Sequence, residues 1–291
     1  MRKGLIAVVA VVILAIVGYF VFKPAPQPPA EPQATEQAPA PAPAATQEAA
    51  KVPEKVRFGV AAEPYPPFSS KDASGTWVGF EMDLMKAVCE TEKMNCELVE
   101  VAWDGIIPAL TEKKIDVIWS SMSITEERKK VIDFTNMYYD SANTMIGLAA
   151  DDTKIDMNAP DSMKGKVIGV QTSTIHANFI EKYFGSAAEV KLYDTLDNAL
   201  ADLAAGRLDY VSESSTSLAP FLAANPTFTT KITWPLDPIF GEGVGGGVRK
   251  EDTALKDELN TGIAAVIKSG QYDEMIKAYP GLGDQIQKPQ M

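Results

Sequence analysis

From about residue 55 onward, apolar positions fall into two alternating patterns, short continuous runs and longer stretches with helical spacing. The run at 56–61 has strand length. Residues 80–92 place Phe80, Leu84, Ala87 and Val88 on one helical face. Glu81 and Asp83 fall in the first turn of that helix, where the positive end of its dipole favours carboxylates. Residues 97–101 read as a strand and 103–113 as a helix, in which Pro108 fits only near the first turns or at a kink. Residues 115–119 read as a further strand. A β–α–β–α–β order implies a parallel sheet with right-handed crossovers. The pattern then restarts. Strands are predicted at 143–149, 166–171, 190–193 and 209–212, with helices at about 173–184 and 196–205. A late strand at 244–249 precedes helices at 253–268 and 272–278. Two α/β units of near-equal size predict two lobes, with a ligand held beyond the carboxyl ends of the strands, between the lobes.

The first 54 residues follow a different pattern. Arg2 and Lys3 precede 19 uncharged residues, 4–22, enough to nearly span a bilayer core of about 30 Å. Segment 1–23 is read as a retained membrane anchor or a cleaved signal segment, and on either reading the rest of the chain is exported. Nine of the 31 residues in 24–54 are proline and ten are alanine, so this segment is read as a linker without a core of its own. The net charge is −12. Basic and acidic residues balance across 1–54, so the acidic excess falls on the remainder and argues against a nucleic-acid partner. His176 is the only histidine, which argues against histidine metal sites and His-dependent catalytic triads. In an exported chain, Cys89 and Cys96 are expected to form a disulfide, two reduced buried thiols being the alternative.

Residues 120–128 read SSMSITEER, directly after an apolar strand. Arginine offers a planar fork of donors that matches a carboxylate, and serine hydroxyls add further donors. Arg128 with Ser120, Ser121 and Ser123 is therefore a candidate anion site at a strand's carboxyl end. A plainer reading is a helix start, in which Ser123 and Glu126 form a capping box and Arg128 is solvated.

Several stretches in order resemble one family: GVAAEPYPPF (59–68), GFEMDL (79–84), WDGIIPAL (103–110), KKIDVIWSSMSITEER (113–128), GKVIGVQTST (165–174), AAGRLDYV (204–211) and GVGGGVRKED (243–252). They resemble the bacterial extracellular solute-binding proteins of family 3, the periplasmic amino-acid-binding proteins of ABC importers, of the polar or basic amino-acid type. The resemblance runs from about residue 55 to 282. It implies a two-lobed type II periplasmic-binding-protein fold, with two parallel-type sheets joined by a two-strand hinge. Lobe one would comprise 55–142 and 241–282, and lobe two 143–240, leaving 283–291 as a flexible tail.

The resemblance also implies roles for single residues. Arg128 would clamp a ligand carboxylate with Ser123 beside it. The Ser121 carbonyl would meet an α-ammonium group, Ser120 would lie at the side-chain pocket, and Tyr65 and Trp103 would cover the ligand. Glu63 would meet a basic side chain. Thr174 falls on a hydroxyl position of the family's carboxylate site, but Ile175 occupies the second such position and offers only its backbone N–H. Where the family commonly has an aspartate for the α-ammonium, this chain has Ser214, with Glu213 adjacent. The expected partners are a small amino-acid ligand, an ABC permease and the membrane, for a monomer without metal, cofactor or catalytic role. The alternatives are a cyclohexadienyl-dehydratase-like enzyme using Glu213 or Glu63 as its acid, or a sensor acting through a membrane partner.

Overall fold

The computed structural model describes residues 51–289. The chain enters with strand β1 (Val56–Ala61), then a hairpin of β2 (Ser70–Lys71) and β3 (Trp77–Val78), helix α1 (Phe80–Thr91) and β4 (Cys96–Val101). A 3-10 turn at Trp103–Gly105 leads into α2 (Ile106–Thr111), β5 (Val117–Ile118), α3 (Glu126–Lys129), β6 (Asp133–Phe134) and β7 (Asp140–Ser141). The second unit runs β8 (Asn143–Leu148), β9 (Val167–Gln171), α4 (Ile175–Phe184), β10 (Glu189–Tyr193), α5 (Leu196–Ala204), β11 (Tyr210–Ser214), α6 (Ser215–Ala224) and β12 (Phe228–Thr233). The chain then returns through β13 (Gly247–Val248), α7 (Thr253–Lys268), α8 (Gln271–Lys277), α9 (Leu282–Gln285) and β14 (Ile286–Gln287).

These strands form two five-stranded sheets, ordered β4-β1-β5-β13-β6 and β10-β9-β11-β8-β12. β1 is parallel to both β4 and β5, and β9 is parallel to both β10 and β11, as the β–α–β pattern predicts. Each sheet turns antiparallel where another strand inserts, β13 in the first and β8 in the second. The fold is therefore the two-lobed α/β architecture, with mixed rather than purely parallel sheets. The chain crosses between sheets after Phe134 and again after Thr233. The two crossings pair at Tyr139 and Val244, and Val244 also bridges Ser123.

Burial explains the element types. Phe58 and Val60 on one face of β1 and Gly59 and Ala61 on the other are buried, as a central parallel strand covered on both faces requires. Gly59 lies against Ile115, where an added Cβ would come 2.3 Å from the Ile115 Cδ1 atom. In the first lobe, α1 and α7 pack Phe80, Leu84, Val88, Leu259 and Ile263 into one core with Trp119, Tyr138 and Tyr139. Cys89 and Cys96 are joined as a disulfide between α1 and β4.

Several elements depart from the sequence expectation. The helix expected over 103–113 is divided, and Pro108 sits in the first turn of α2, where no intrahelical N–H bond is lost. The strand expected at 244–249 contracts to β13, because Val244 is used in the crossing. Helix α6 and strand β12 were not expected: the hydroxyl-rich start of α6 and its internal Pro220 mask its helical period. Residues 283–287 are not a loose tail. Leu282 and Ile286 are buried, and β14 pairs with β7 at the first crossing. Among the described residues no helix is long and apolar enough to cross a membrane, and the segment expected to do so, 4–22, lies outside them.

A buried ionic knot closes the first lobe opposite the cleft. Asp116 accepts from Arg57 Nε at 2.8 Å, Arg57 Nη2 at 2.9 Å and Arg249 Nη2 at 3.0 Å. Burial alone would raise the Asp116 carboxyl, but its bonds to Arg57 and Arg249 outweigh that and hold it below its ordinary value. A depressed folded-state pKa contributes stability above the unfolded value of about 3.9, and that stability is lost as pH falls through the lower folded value. Asp116→Asn leaves Arg57 without its charge partner and Arg249 with Asp252 alone, at 2.6 Å. It is expected to cost about 3 kcal/mol in denaturant unfolding at neutral pH, and the cost should shrink in acid.

Candidate functional site

The carboxyl ends of β1, β5 and β4 face the ends of β9 and β11 across a cleft of about 730 Å³, counted out to its mouth. All eleven residues singled out from the sequence line it: Glu63, Tyr65, Trp103, Ser120, Ser121, Ser123, Arg128, Thr174, Ile175, Glu213 and Ser214. Ala61, Asp140, Gln171, His176 and Phe240 also line it and were not anticipated.

The loop after β5 is organised by a side chain from α1. Glu81 is wholly buried, and its carboxylate accepts from Ser121 N at 2.8 Å, Ser121 Oγ at 2.6 Å and Tyr138 OH at 2.6 Å. Burial raises the Glu81 carboxyl, and these three donors partly offset the shift. Held this way, Ser121 adopts a left-handed backbone with φ of 52°, a strained conformation for a non-glycine residue costing about 1–3 kcal/mol. Both Ser121 donors point at Glu81, which leaves its carbonyl for the cleft. Ser120 Oγ accepts from Ala61 N at 3.0 Å and ties the loop to β1.

The capping box read from Ser123 and Glu126 does not form. Thr125 is the N-cap of α3, its hydroxyl accepting from Arg128 N at 3.2 Å. Ser123 Oγ is left without a partner among the described residues. The Arg128 side chain turns into the cleft rather than into solvent. It donates to Ser123 O at 3.0 Å and, across the cleft, to Ser173 O at 3.3 Å. Its guanidinium lies 5.6 Å from the Trp103 ring centroid. No carboxylate pairs with it among the described residues, and burial lowers its pKa to about 10. A half-buried cation with only carbonyl and aromatic partners among the described residues is an incomplete site for an anion.

The Glu63 carboxylate accepts from Trp103 N at 3.2 Å, holding the start of the 3-10 turn against the loop that follows β1. It has no cationic partner among the described residues. On the opposite wall, Thr174 is the N-cap of α4. Its hydroxyl donates to Gln171 O at 2.7 Å and accepts from Ala177 N at 3.1 Å, so it is committed to the helix rather than free for a ligand. What the start of α4 presents is the backbone N–H of Ile175, at the positive end of the helix dipole.

At the end of β11 the structure shows a pair that the sequence reading missed. Glu213 Oε1 lies 2.6 Å from His176 Nε2, both side chains being buried. The same oxygen accepts from Tyr65 OH at 3.0 Å and from Ser214 N at 2.8 Å. Burial would raise the Glu213 carboxyl, but the charge and hydrogen bond of His176 outweigh it and hold the carboxyl low. Tyr65 is pushed well above its ordinary range, by burial first and then by the Glu213 charge. A strand's alternation would turn Glu213 away from the cleft. It lines the cleft because β11 ends here, with Ser214 becoming the N-cap of α6. The sequence signal that could have found the pair was the chain's single histidine at the first turn of a cleft helix, which was used only to exclude metal and triad chemistry.

Comparison with known proteins agrees with this geometry. Residues 56–282 match the model of the bacterial extracellular solute-binding proteins, family 3. The ABC transporter arginine-binding protein 1 of Escherichia coli is 37% identical over 229 residues, covering 78% of this chain and 90% of that protein. The L-arginine-binding protein of Pseudomonas aeruginosa is 39% identical over 232 residues, covering 77% of this chain and 87% of that protein. A solved ancestral arginine-binding protein, bound to arginine, superposes with a TM-score of 0.71 at 31% identity, covering 79% of this chain and 99% of that one. The two-lobed fold, the anion-ready cleft and the match over nearly all of the described chain lead to one assignment: this chain belongs to the bacterial extracellular solute-binding proteins of family 3, the periplasmic amino-acid-binding proteins of ABC importer type.

Proposed function

We propose that this protein captures a cationic L-amino acid in the cell envelope and delivers it to the permease of an ABC importer. The observation that carries the reading is the charge pattern of the cleft. One guanidinium, Arg128, lacks an anion, and two lining carboxylates, Glu63 and Asp140, lack a cation among the described residues. A ligand with one carboxylate and two cationic groups complements that pattern, and arginine, lysine and ornithine have this composition. The relatives whose names specify arginine support the same class.

The ligand carboxylate docks on Arg128 and the free Ser123 hydroxyl, with the Ile175 N–H completing the site from the other lobe. Trp103 and Tyr65 flank the aliphatic stem, and Glu63 at the mouth receives the side-chain cation. Closure follows from the bonds that cross the cleft. Arg128 reaches Ser173, and Tyr65 reaches Glu213 and Ser214. A ligand that bridges both walls favours the closed population, which the permease reads. Residues 4–22 anchor the chain in the cytoplasmic membrane, and the Pro/Ala-rich segment 24–54 spaces the binding unit from it.

A thermal-shift panel of L-amino acids tests the reading, and L-arginine or L-lysine at about 100 Kd should stabilise the protein by about 2.7 kcal/mol. No shift with any cationic amino acid would remove the assignment. Arg128→Ala should weaken such a ligand at least about tenfold by isothermal titration, because a buried carboxylate then lacks its charge-assisted bonds. Unchanged affinity would show that the carboxylate docks elsewhere. Glu63→Gln should weaken L-arginine more than L-glutamine, whereas equal losses would place the side-chain cation away from Glu63.

A further inference from the structure

We infer that Asp140, on the first crossing strand, is the carboxylate that receives the ligand's α-ammonium group. The inference rests on the cationic amino-acid reading and assigns the one ligand group that reading leaves without a partner.

At the end of β11, beside the Ser214 position, one carboxylate oxygen is already engaged from within the protein. Glu213 Oε1 is engaged by His176, Tyr65 and the Ser214 N–H. Ser214 Oγ caps α6 and meets Tyr65 OH, Thr216 Oγ1 and Ser217 Oγ, each at 3.1 Å. An ammonium arriving there would share a carboxylate that three internal donors already engage through Oε1, and among the described residues the neighbouring His176 Nδ1 is itself without a partner.

Asp140 is far less engaged, with one backbone donor and no charged or side-chain partner among the described residues. Its Oδ1 accepts only the N–H of its neighbour Ser141 at 2.8 Å, and no donor meets its other oxygen among the described residues. The side chain lines the cleft. Burial raises its carboxyl, a shift that a cationic partner would reverse. The backbone around it is tied down on three sides. Asp140 pairs in register with Gln287 of β14. Its neighbour Tyr139 bridges Val244, which in turn bridges Ser123. Two residues later, Ala142 O accepts from Ser215 N at 2.8 Å, next to Ser214. The Asp140 backbone thus lies between the Val244 bridge and the end of β11, and its side chain lines the same cleft as the uncommitted Ser123 hydroxyl. With the Ser121 carbonyl, these groups supply the acceptors that an ammonium requires.

One consequence concerns the order of events. A carboxylate on the crossing strand, lining the same cleft as Ser123 and Arg128, lets the first lobe and hinge hold both α-groups of the ligand before the second lobe closes.

The test compares L-arginine with its des-amino analogue, δ-guanidinovalerate, by isothermal titration on the wild type, Asp140→Asn and Glu213→Gln. Asparagine keeps the oxygen that accepts the Ser141 N–H, so the strand is preserved and only the charge is removed. The expected result is a loss of at least about tenfold for L-arginine on Asp140→Asn, with the analogue within about twofold of wild type. An equal loss for both compounds would make Asp140 a structural residue and overturn the assignment. No loss for either would also overturn it. A selective loss of L-arginine on Glu213→Gln, with Asp140→Asn neutral, would move the ammonium to the β11 end. Wild-type protein that binds no cationic amino acid would overturn the functional reading itself, a result distinct from any of these.

Discussion

Glu81 brings a carboxylate into the first lobe's core at the first turn of α1, and three donors meet it there. The cleft is built around this contact. Two of the donors belong to Ser121, which is thereby held in its left-handed conformation. The third is the hydroxyl of Tyr138, at the entrance to the first crossing strand. The Glu81 carbonyl accepts from the buried Trp119 indole at 2.8 Å, which fixes the strand end that feeds the turn. A buried carboxylate without partners would cost several kcal/mol. The helix, the serine turn and the crossing strand are consequently locked to one another, and Ser123, Arg128 and Asp140 are positioned by that lock.

Two kinds of charge arrangement face each other across the cleft. The Glu213 carboxylate is engaged within the protein, its Oε1 meeting His176, Tyr65 and the Ser214 N–H. Arg128, Glu63 and Asp140 are incomplete, because among the described residues each charge lacks an opposite partner of its own. Preorganised but unsatisfied groups are what a binding site needs, since the ligand then supplies the missing interaction without first breaking another. The Glu213 carboxylate has a separate effect. Through Tyr65 it links the loop after β1 to the end of β11, so the His176 contact and a cleft-bridging hydrogen bond share one carboxylate oxygen.

The second left-handed serine, Ser173, has φ of 60° and presents its carbonyl to Arg128 from the opposite lobe. Strained backbone at Ser121 and Ser173 thus borders the cleft from both walls. The strain is sustained by rigid surroundings, the Glu81 contact on one side and the capped start of α4 on the other. Such conformations leave no mark in the hydrophobic pattern, because serine at a strand end is also ordinary turn composition.

Local order and periodicity were legible in the chain itself. The β–α–β runs predicted parallel strands, two units predicted two lobes, and SSMSITEER at a strand end placed Arg128 and its serines where the cleft lies. These follow from near-neighbour rules: strands and helices have their own periods, and strand ends face clefts. Contacts between distant residues were decided only in the tertiary structure. Thr125 rather than Ser123 caps α3 because Ser123 is held at the crossing. Glu213 turns inward because β11 ends at Ser214. Residues 283–287 add a strand because the crossing offers an open edge. His176 meets Glu213, 37 residues further along the chain, only once α4 and β11 lie side by side. No periodicity encodes such a pairing, since it depends on how two separately determined elements come to rest against each other.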